Sequence, residues 1–304
     1  MVSISGYENQ IEIVISDNAS TDDTVDTIRS FQIRYPWIRY SRNEVNIGGE
    51  RNFYRLATLA TGDYIWIFGD DDKLSEEAIS IVMKLINSGK NYKLFICDYY
   101  RYSKDFKEKK VELAYGLSNV STINNHNDLM KIFGWRLGYI SSLIFNRSIF
   151  LAVSKEKYNK YLEYRFPFLY MIYHGVIDDC LALYINKPLV YNRMHNSMFC
   201  LDESWKCFVV GISIILNDLK NDGYSAQSVN ITKNKIILYY VIPHVVSFKI
   251  RGDLTIRKCR ELFYDYGKSL FFWFFCFPIL LIPNSCLRQA KKIKHTVIKF
   301  KKNV

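Results

Sequence analysis

The stretch Asp63–Asp72, DYIWIFGDDD, decides how this chain is read. Tyr64–Phe68 is a short apolar and aromatic run of the kind that forms a buried strand. Gly69 interrupts it, and three adjacent carboxylates follow at Asp70, Asp71 and Asp72. Like charges this close repel one another, so the triplet needs a physical reason. A helix N-terminus favours aspartates through its dipole, and Ser75 stands where it would cap a helix predicted over 76–87. A divalent cation removes the repulsion directly, and an all-oxygen donor set suits Mg²⁺ or Mn²⁺ rather than zinc. The triplet by itself does not separate these two explanations.

The flanking sequence adds weight to the second. Residues 11–16, IEIVIS, form another apolar run that ends in Asp17-Asn18-Ala19-Ser20-Thr21-Asp22. Asp17 can accept from a base N–H or a ribose hydroxyl, while Asn18 and Ser20 suit local turn bonds. Thr21 or Asp22 is placed to cap a helix running to about residue 32, and a short strand is predicted near 38–41. The turn NEVNIGG at 43–49 then leads into a helix over about 50–60, and 94–98 reads as a further strand. Strands alternating with helices imply a mostly parallel α/β sheet flanked by helices. Ligands gather at the carboxyl ends of such strands. Both acidic loops sit at those ends, so one edge of the sheet is the predicted site.

Beyond residue 100 the pattern loosens. Residues 104–111 read as a charged loop or hairpin, 128–133 as helix and 141–145 as strand. Residues 182–185 and 189–191 read as a hairpin around Asn186-Lys187-Pro188, and 203–266 as helices. This divides the chain into an α/β domain over 1–200 and a helical region over 201–304. Residues 270–282, LFFWFFCFPILLI, are almost continuously apolar but shorter than the roughly 20 residues that span a bilayer. Behind them, 285–304 carries Arg288, Lys291, Lys292, Lys294, Lys299, Lys301 and Lys302 with no carboxylate. A buried core helix has no need of such a tail. An interfacial anchor on an anionic membrane surface does.

With 49% apolar and 16% aromatic residues, intrinsic disorder is excluded. The net charge of +11 gathers largely in the tail, and no zinc finger or aromatic–basic RNA signature accompanies it, so no nucleic-acid partner is predicted. Seven cysteines, none in a C-x-x-C pair, read as reduced thiols of a cytosolic setting and give no Cys/His metal site.

In order and spacing, IEIVISDNASTDDT, NEVNIGGERNF and TGDYIWIFGDDDKLSEEA resemble successive signatures of the family 2 glycosyltransferases, which have the GT-A fold. Within that family the resemblance is to bacterial abequosyltransferase-like enzymes of O-antigen, capsule and exopolysaccharide assembly. It implies an inverting enzyme that moves a sugar from a nucleoside diphosphate donor to a glycan or lipid-linked acceptor, peripheral on the cytoplasmic face of the membrane. It also implies Mn²⁺ or Mg²⁺ as the Lewis acid for the departing diphosphate. Carried over by position, Asp17 meets the nucleotide base, Asn18 and Asn46 lie near the nucleotide, and Asn52 occupies a recurrent site in the next helix. Asp70 and Asp72 are the ends of the D-x-D motif, with Asp71 between them. One of the triplet touches the ribose, and the metal falls to Asp70 and Asp72. Arg193 meets the diphosphate.

The base that deprotonates the acceptor comes from the second half of the domain, where Glu163, Asp178 and Asp179 stand as candidates. Family members also carry a strand, a nucleotide loop and a helix ahead of the equivalent of Ile11–Ser16. The expectation is therefore either a βα unit of roughly 30 residues upstream of Met1 or a truncated form. Two alternatives stay open: a non-catalytic carbohydrate- or nucleotide-binding remnant of the same fold, and a nucleotidyltransferase, which would show a glycine-rich phosphate loop.

Overall fold

The computed structural model describes residues 4, 6–111, 113–118, 121–194 and 200–290. The chain divides into two compact units, Met1–Met198 and Phe199–Val304.

The first unit opens with β1 (Val14–Asp17), α1 (Thr24–Arg34), β2 (Arg39–Arg42) and α2 (Gly49–Leu59). Strands β1 and β2 pair in parallel, from Val14 opposite Arg39 to Asp17 opposite Arg42. Helix α1, joining them, starts where Asp22 Oδ1 accepts from the Thr24 N–H at 3.1 Å. Helix α2 starts after Gly48, whose φ of 86° is a conformation glycine takes at little cost.

The remaining elements are β3 (Tyr64–Ile65), β4 (Lys73–Leu74), α3 (Ala78–Ile86), β5 (Leu94–Tyr102), β6 (Lys109–Val111), β7 (Thr122–Ile123), α4 (His126–Phe133), β8 (Leu143–Asn146), α5 (Arg147–Leu151), α6 (Lys155–Asn159), α7 (Pro167–Gly175) and β9 (Ala182–Arg193). They build a sheet ordered β3-β8-β5-β9-β4, with β6 added to β5 and β7 to β9. Only β5–β9 is parallel in this sheet; the other pairs are antiparallel. The α/β class is as the sequence predicts, but the sheet is mixed rather than mostly parallel. The reason is connectivity: β6 returns from β5 as a hairpin, and the short β3 and β4 meet neighbours running the opposite way. Phe95 and Cys97 of β5, Ile144 of β8 and Ile185 and Leu189 of β9 pack with Ala78 and Val82 of α3. Each large side chain among them contributes about 1.5–3 kcal/mol by leaving water.

Two local expectations are corrected. No hairpin forms at 186–188, because β9 continues through it. Its register against β5 jumps from Cys97–Ile185 to Asp98–Pro188, so Asn186 and Lys187 bulge out, and Pro188, lacking an N–H, falls at the irregularity. Nor does Ser75 cap α3: its hydroxyl is buried without a partner and the helix begins three residues later.

The second unit is helical. Helix α8 (Leu201–Ser204) passes through a π-helical turn, Trp205–Gly211, into α9 (Ile212–Asp222). Helix α10 (Ala226–Ile236) passes through another, Ile237–Val241, into α11 (Ile242–Arg251), and α12 (Ile256–Tyr266) follows. A third π turn, Phe272–Cys276, leads into α13 (Phe277–Leu281). The second and third turns stand just before Pro243 and Pro278, where the missing N–H and the ring open the helical ladder. Within 270–282, Phe272 and Cys276 are buried, but Leu270 is 75% exposed, Phe274 73% and Leu281 69%. The segment is therefore not a buried core helix. No described helix is long and apolar enough to cross a membrane. Of the basic tail, Lys291, Lys292, Lys294, Lys299, Lys301 and Lys302 lie outside the described residues.

Candidate active site

The aspartate triplet leaves β3 through a tight turn in which the Asp72 N–H donates to Gly69 O at 3.3 Å. The turn is anchored on Ser141, whose hydroxyl accepts from the Gly69 N–H at 3.1 Å and whose carbonyl accepts from Trp66 Nε1 at 2.8 Å. A Cβ on Gly69 would lie 2.9 Å from Asp71 Oδ1 and 3.4 Å from Asp72 Oδ2. The following carboxylates fold back over the glycine, and a side chain there would push the Asp71 carboxylate aside.

The three carboxylates have different surroundings. Asp72 Oδ2 accepts from the Tyr139 hydroxyl at 2.6 Å. Its Oδ1 accepts from Asn192 Nδ2 at 3.1 Å and from the Arg193 backbone N–H at 3.2 Å. Burial, then the charge of Asp72, pushes the Tyr139 phenol far up, so the phenol stays protonated as a donor. Asp71 is half-buried and Asp70 exposed. Both Asp72 oxygens hold the loop to the end of β9 and to Tyr139, so of the two carboxylates expected at the metal Asp72 is fixed by the protein and Asp70 is open to solvent. Among the described residues no three His, Cys, Asp or Glu side chains converge to hold a metal on their own. Exposed carboxylate oxygen at this edge does fit Mg²⁺ or Mn²⁺ bound jointly with a diphosphate, since those ions take one or two carboxylates and complete their shell with phosphate oxygens and water.

At the other acidic loop, Asp17 is closed off from solvent. Its Oδ1 accepts from the Ser20 N–H at 2.8 Å, and its Oδ2 from the Tyr40 hydroxyl at 2.7 Å and Arg42 Nε at 3.0 Å. Burial raises its pKa, yet the Ser20 and Tyr40 bonds and the Arg42 charge outweigh that and hold it below the ordinary carboxylate value. Ala19 in this loop takes φ 63°, an uncommon conformation for a residue with a Cβ. Asn18 Oδ1 accepts from Asn43 Nδ2 at 2.9 Å and from the Ile47 N–H at 3.0 Å, while its Nδ2 donates to Asn46 Oδ1 at 2.8 Å. Asn52 accepts from the Ser16 hydroxyl at 2.7 Å and returns a bond to Ser16 O at 2.9 Å. Asn18, Asn46 and Asn52 thus stitch the end of β1 to the turn before α2.

Glu163 is exposed on the 3₁₀ turn Leu162–Tyr164. Arg165, two residues on, pairs with Glu50 at 3.3 Å. The ring of Phe166 lies so close to Gly138 that a Cβ there would sit 3.3 Å from it. The Glu163 turn is therefore tied to the start of α2 and to the segment that carries Tyr139. Asp178 and Asp179 are placed differently. Both are exposed ahead of β9, and Asp179 pairs with Lys93, ahead of β5, at 3.1 Å. The twelve residues of β9, at about 3.3 Å each, put them on the order of 35 Å from Arg193. As base candidates they stand at the wrong edge of the sheet.

Tyr139, Ser141 and Asn192 belong to the site and carry no sequence signal of their own, because they reach Asp72 and Gly69 only through tertiary pairing. Asp98 is a further case: fully buried, it accepts from the Tyr115 N–H at 2.9 Å, the Gly116 N–H at 2.8 Å and the Tyr184 hydroxyl at 2.6 Å, pinning the 115–116 loop to the sheet.

A helix-flanked α/β sheet with an aspartate loop at a strand end is the architecture of the nucleotide-sugar transferases of GT-A fold. Staphylococcus aureus TarS 1–349 in complex with UDP superposes with a TM-score of 0.62 over 96% of this chain and 80% of that one. At 10% identity this likeness concerns the fold alone. Residues 3–150 match Glycosyl transferase family 2. The abequosyltransferase RfbV of Salmonella typhimurium is 33% identical over 231 residues, 72% of this chain and 68% of that protein. The chain belongs to glycosyl transferase family 2. A GalNAc(5)-diNAcBac-PP-undecaprenol beta-1,3-glucosyltransferase of Campylobacter jejuni is 29% identical over 139 residues, 43% of each protein. All seven cysteines of this chain are unpaired thiols.

Proposed function

We propose that this family 2 glycosyltransferase is an inverting enzyme that moves a sugar from a nucleoside diphosphate donor to a glycan or lipid-linked acceptor in bacterial surface polysaccharide synthesis. The observation that carries the reading is the division of labour in the triplet: Asp72 is locked into the protein while Asp70 stands exposed beside it at the strand end. The relatives named above, an abequosyltransferase and a glucosyltransferase with a lipid-diphosphate acceptor, support the substrate classes.

In this reading Asp70, with Asp71, faces the ribose and a Mn²⁺ or Mg²⁺ ion, and Asp72 sets their direction. The ion, when bound, neutralises charge on the departing diphosphate. Glu163 takes the proton of the acceptor hydroxyl as that oxygen attacks the anomeric carbon opposite the leaving group. Asp17 acts by holding the 17–20 loop, which with Asn18 and Asn46 lines the nucleotide side. The exposed Leu270, Trp273, Phe274 and Leu281, with the cationic tail behind them, seat the protein on the inner membrane face. Incubation with a panel of nucleotide sugars, Mn²⁺ and lipid-linked acceptor membranes tests the whole reading. Release of nucleoside diphosphate with transfer, abolished in Glu163→Gln, is expected. Full transfer by Glu163→Gln contradicts the base assignment, and no turnover of any donor contradicts the enzyme reading.

A further inference from the structure

Three tyrosines lie together on the face of the sheet opposite the Asp72 side chain. Asn192 turns its side chain to Asp72, so Tyr191, next to it in β9, turns to the other face. Tyr191 stands in register with Tyr100 of β5. Their rings are nearly parallel, with planes 18° apart and centroids 6.2 Å apart. Tyr102, two residues on from Tyr100, places its ring 5.4 Å from that of Tyr191. Phe106, at the tip of the β5–β6 hairpin, closes the row 5.9 Å from Tyr102. All four side chains are half-buried. Earlier on the same strands, Phe95, Cys97 and Leu189 pack against α3, but that helix begins only at Ala78. Around Tyr191 stand the two residues ahead of it, Glu76 and Glu77. Burial, then Tyr102, Glu77, Tyr100 and Glu76, raise the Tyr191 phenol, which keeps it a neutral donor at neutral pH. Glu77 is held in place by Lys187 at 2.7 Å.

Cross-strand aromatic pairs stabilise a sheet, but rings left partly in solvent and edged with polar groups also present a surface of definite chemistry. The axial C–H bonds of a pyranose carry partial positive charge and pack on the negative face of an aromatic ring. Its hydroxyls, around the edge, donate to carboxylates and accept from phenols. The border has mixed sign, Glu76 and Glu77 at one end and Lys73, 4.2 Å from the Phe106 centroid, at the other. That suits a neutral polyhydroxyl ligand rather than an anion. Other occupants fit less well. An aromatic side chain buries about 150–250 Å² when complete, so four half-buried ones offer on the order of 400 Å². A stable protein interface takes roughly 800 Å² from each partner. A lipid surface is met by aliphatic and aromatic side chains with a cationic border, and here two carboxylates stand in it.

We propose that Tyr100, Tyr102 and Tyr191 form a saccharide-binding platform, separate from the nucleotide-sugar site, that holds neutral pyranose residues by stacking, with Glu76 and Glu77 at its rim accepting from their hydroxyls. Assigning that saccharide to an acceptor glycan rests on the transferase reading; the binding does not. The test is saturation-transfer difference NMR with fluorescence titration of the full chain, without nucleotide or metal, using cellohexaose, maltohexaose and mannohexaose as probes. At least one should bind with a Kd on the order of 0.1–10 mM. The double variant Tyr100→Leu/Tyr191→Leu keeps apolar volume but loses the flat rings, and should weaken binding at least tenfold. Tyr100→Phe/Tyr191→Phe, which keeps the rings, should stay within about threefold of the wild type. Asp70→Asn should bind as the wild type does, and UDP with Mn²⁺ should not displace the probe. Circular dichroism and the melting midpoint establish that each variant is folded. Binding of none of the three probes overturns the proposal, as does wild-type affinity in the folded leucine variant. Displacement by UDP with Mn²⁺, or loss of binding in Asp70→Asn, overturns it by placing the saccharide at the donor site. A leucine variant that loses self-association or vesicle binding while keeping saccharide affinity gives the rings to a protein or lipid surface and likewise overturns it. Saccharide binding that follows these variants in a chain that transfers no sugar leaves the platform standing and removes the transferase reading.

Discussion

Asp17 and Asp72 are both carboxylates engaged on the protein itself, and they fix the two loops that border the site. For Asp17 the consequence is a pH dependence of definite sign. Its folded pKa lies below the ordinary value near 4. The stability it supplies is therefore complete above that value and is lost as pH falls through the depressed folded one. Asp17→Asn removes the ion pair with Arg42 and should cost about 1–3 kcal/mol at neutral pH. It should also flatten the acid limb of the melting curve below about pH 4. An unchanged melting midpoint at pH 7 would show that the Ser20, Tyr40 and Arg42 bonds contribute nothing. At Asp72, Tyr139→Phe removes a donor to a charged acceptor, with an expected loss of about 1–3 kcal/mol and weaker Mn²⁺-dependent nucleotide binding. Thermal melts and fluorescence titration check the two halves of that expectation separately.

At the scale of elements, what was legible in the sequence is what is written locally. The DYIWIF run, Gly69 and the triplet are contiguous, and the turn before α2 announces itself through Asn46, Gly48 and Gly49. Pairing is not local. Tyr139 and Asn192 reach Asp72 across 67 and 120 residues, and no spacing rule connects them. The pair Asp178-Asp179 looks like any other acidic pair until the direction of β9 shows that it leaves the site rather than enters it. The predicted hairpin at 186–188 fails for a similar reason. A turn signature inside a strand is also the signature of a bulge, and the parallel partner β5 decides between them. Close packing of elements gives its own prediction. A Cβ on Gly175, in α7, would meet the backbone of Ile149, in α5, at 2.8 Å from Cα and 2.9 Å from O. Gly175→Ala should therefore force these helices apart and destabilise the first unit by about 1–3 kcal/mol. Equal chemical denaturation of the variant and the wild type would contradict the close approach.

For the whole molecule, family and fold class are legible because three motifs stand in order over the first hundred residues. The separation of the chain into an α/β unit and a helical unit follows the loss of strand–helix alternation beyond that point. The exposed apolar face at 270–281 is a property of the second unit considered alone, and it predicts partition onto anionic vesicles. The combined variant Leu270→Ser, Phe274→Ser and Leu281→Ser should weaken vesicle co-sedimentation at least tenfold, since burying each side chain is worth about 1.5–3 kcal/mol when complete. Raised salt should weaken the wild type through its cationic tail. Unaltered co-sedimentation of the folded variant would remove the anchor.

The account turns on the unequal roles of the aspartates, and Mn²⁺ binding read by electron paramagnetic resonance in the presence of a nucleoside diphosphate tests it most directly. The wild type should bind the ion, and Asp70→Asn should lose at least tenfold in affinity while keeping the wild-type melting midpoint. Equal Mn²⁺ affinity in the wild type and Asp70→Asn, with nucleotide present, would contradict the claim that this strand-end triplet is the donor site.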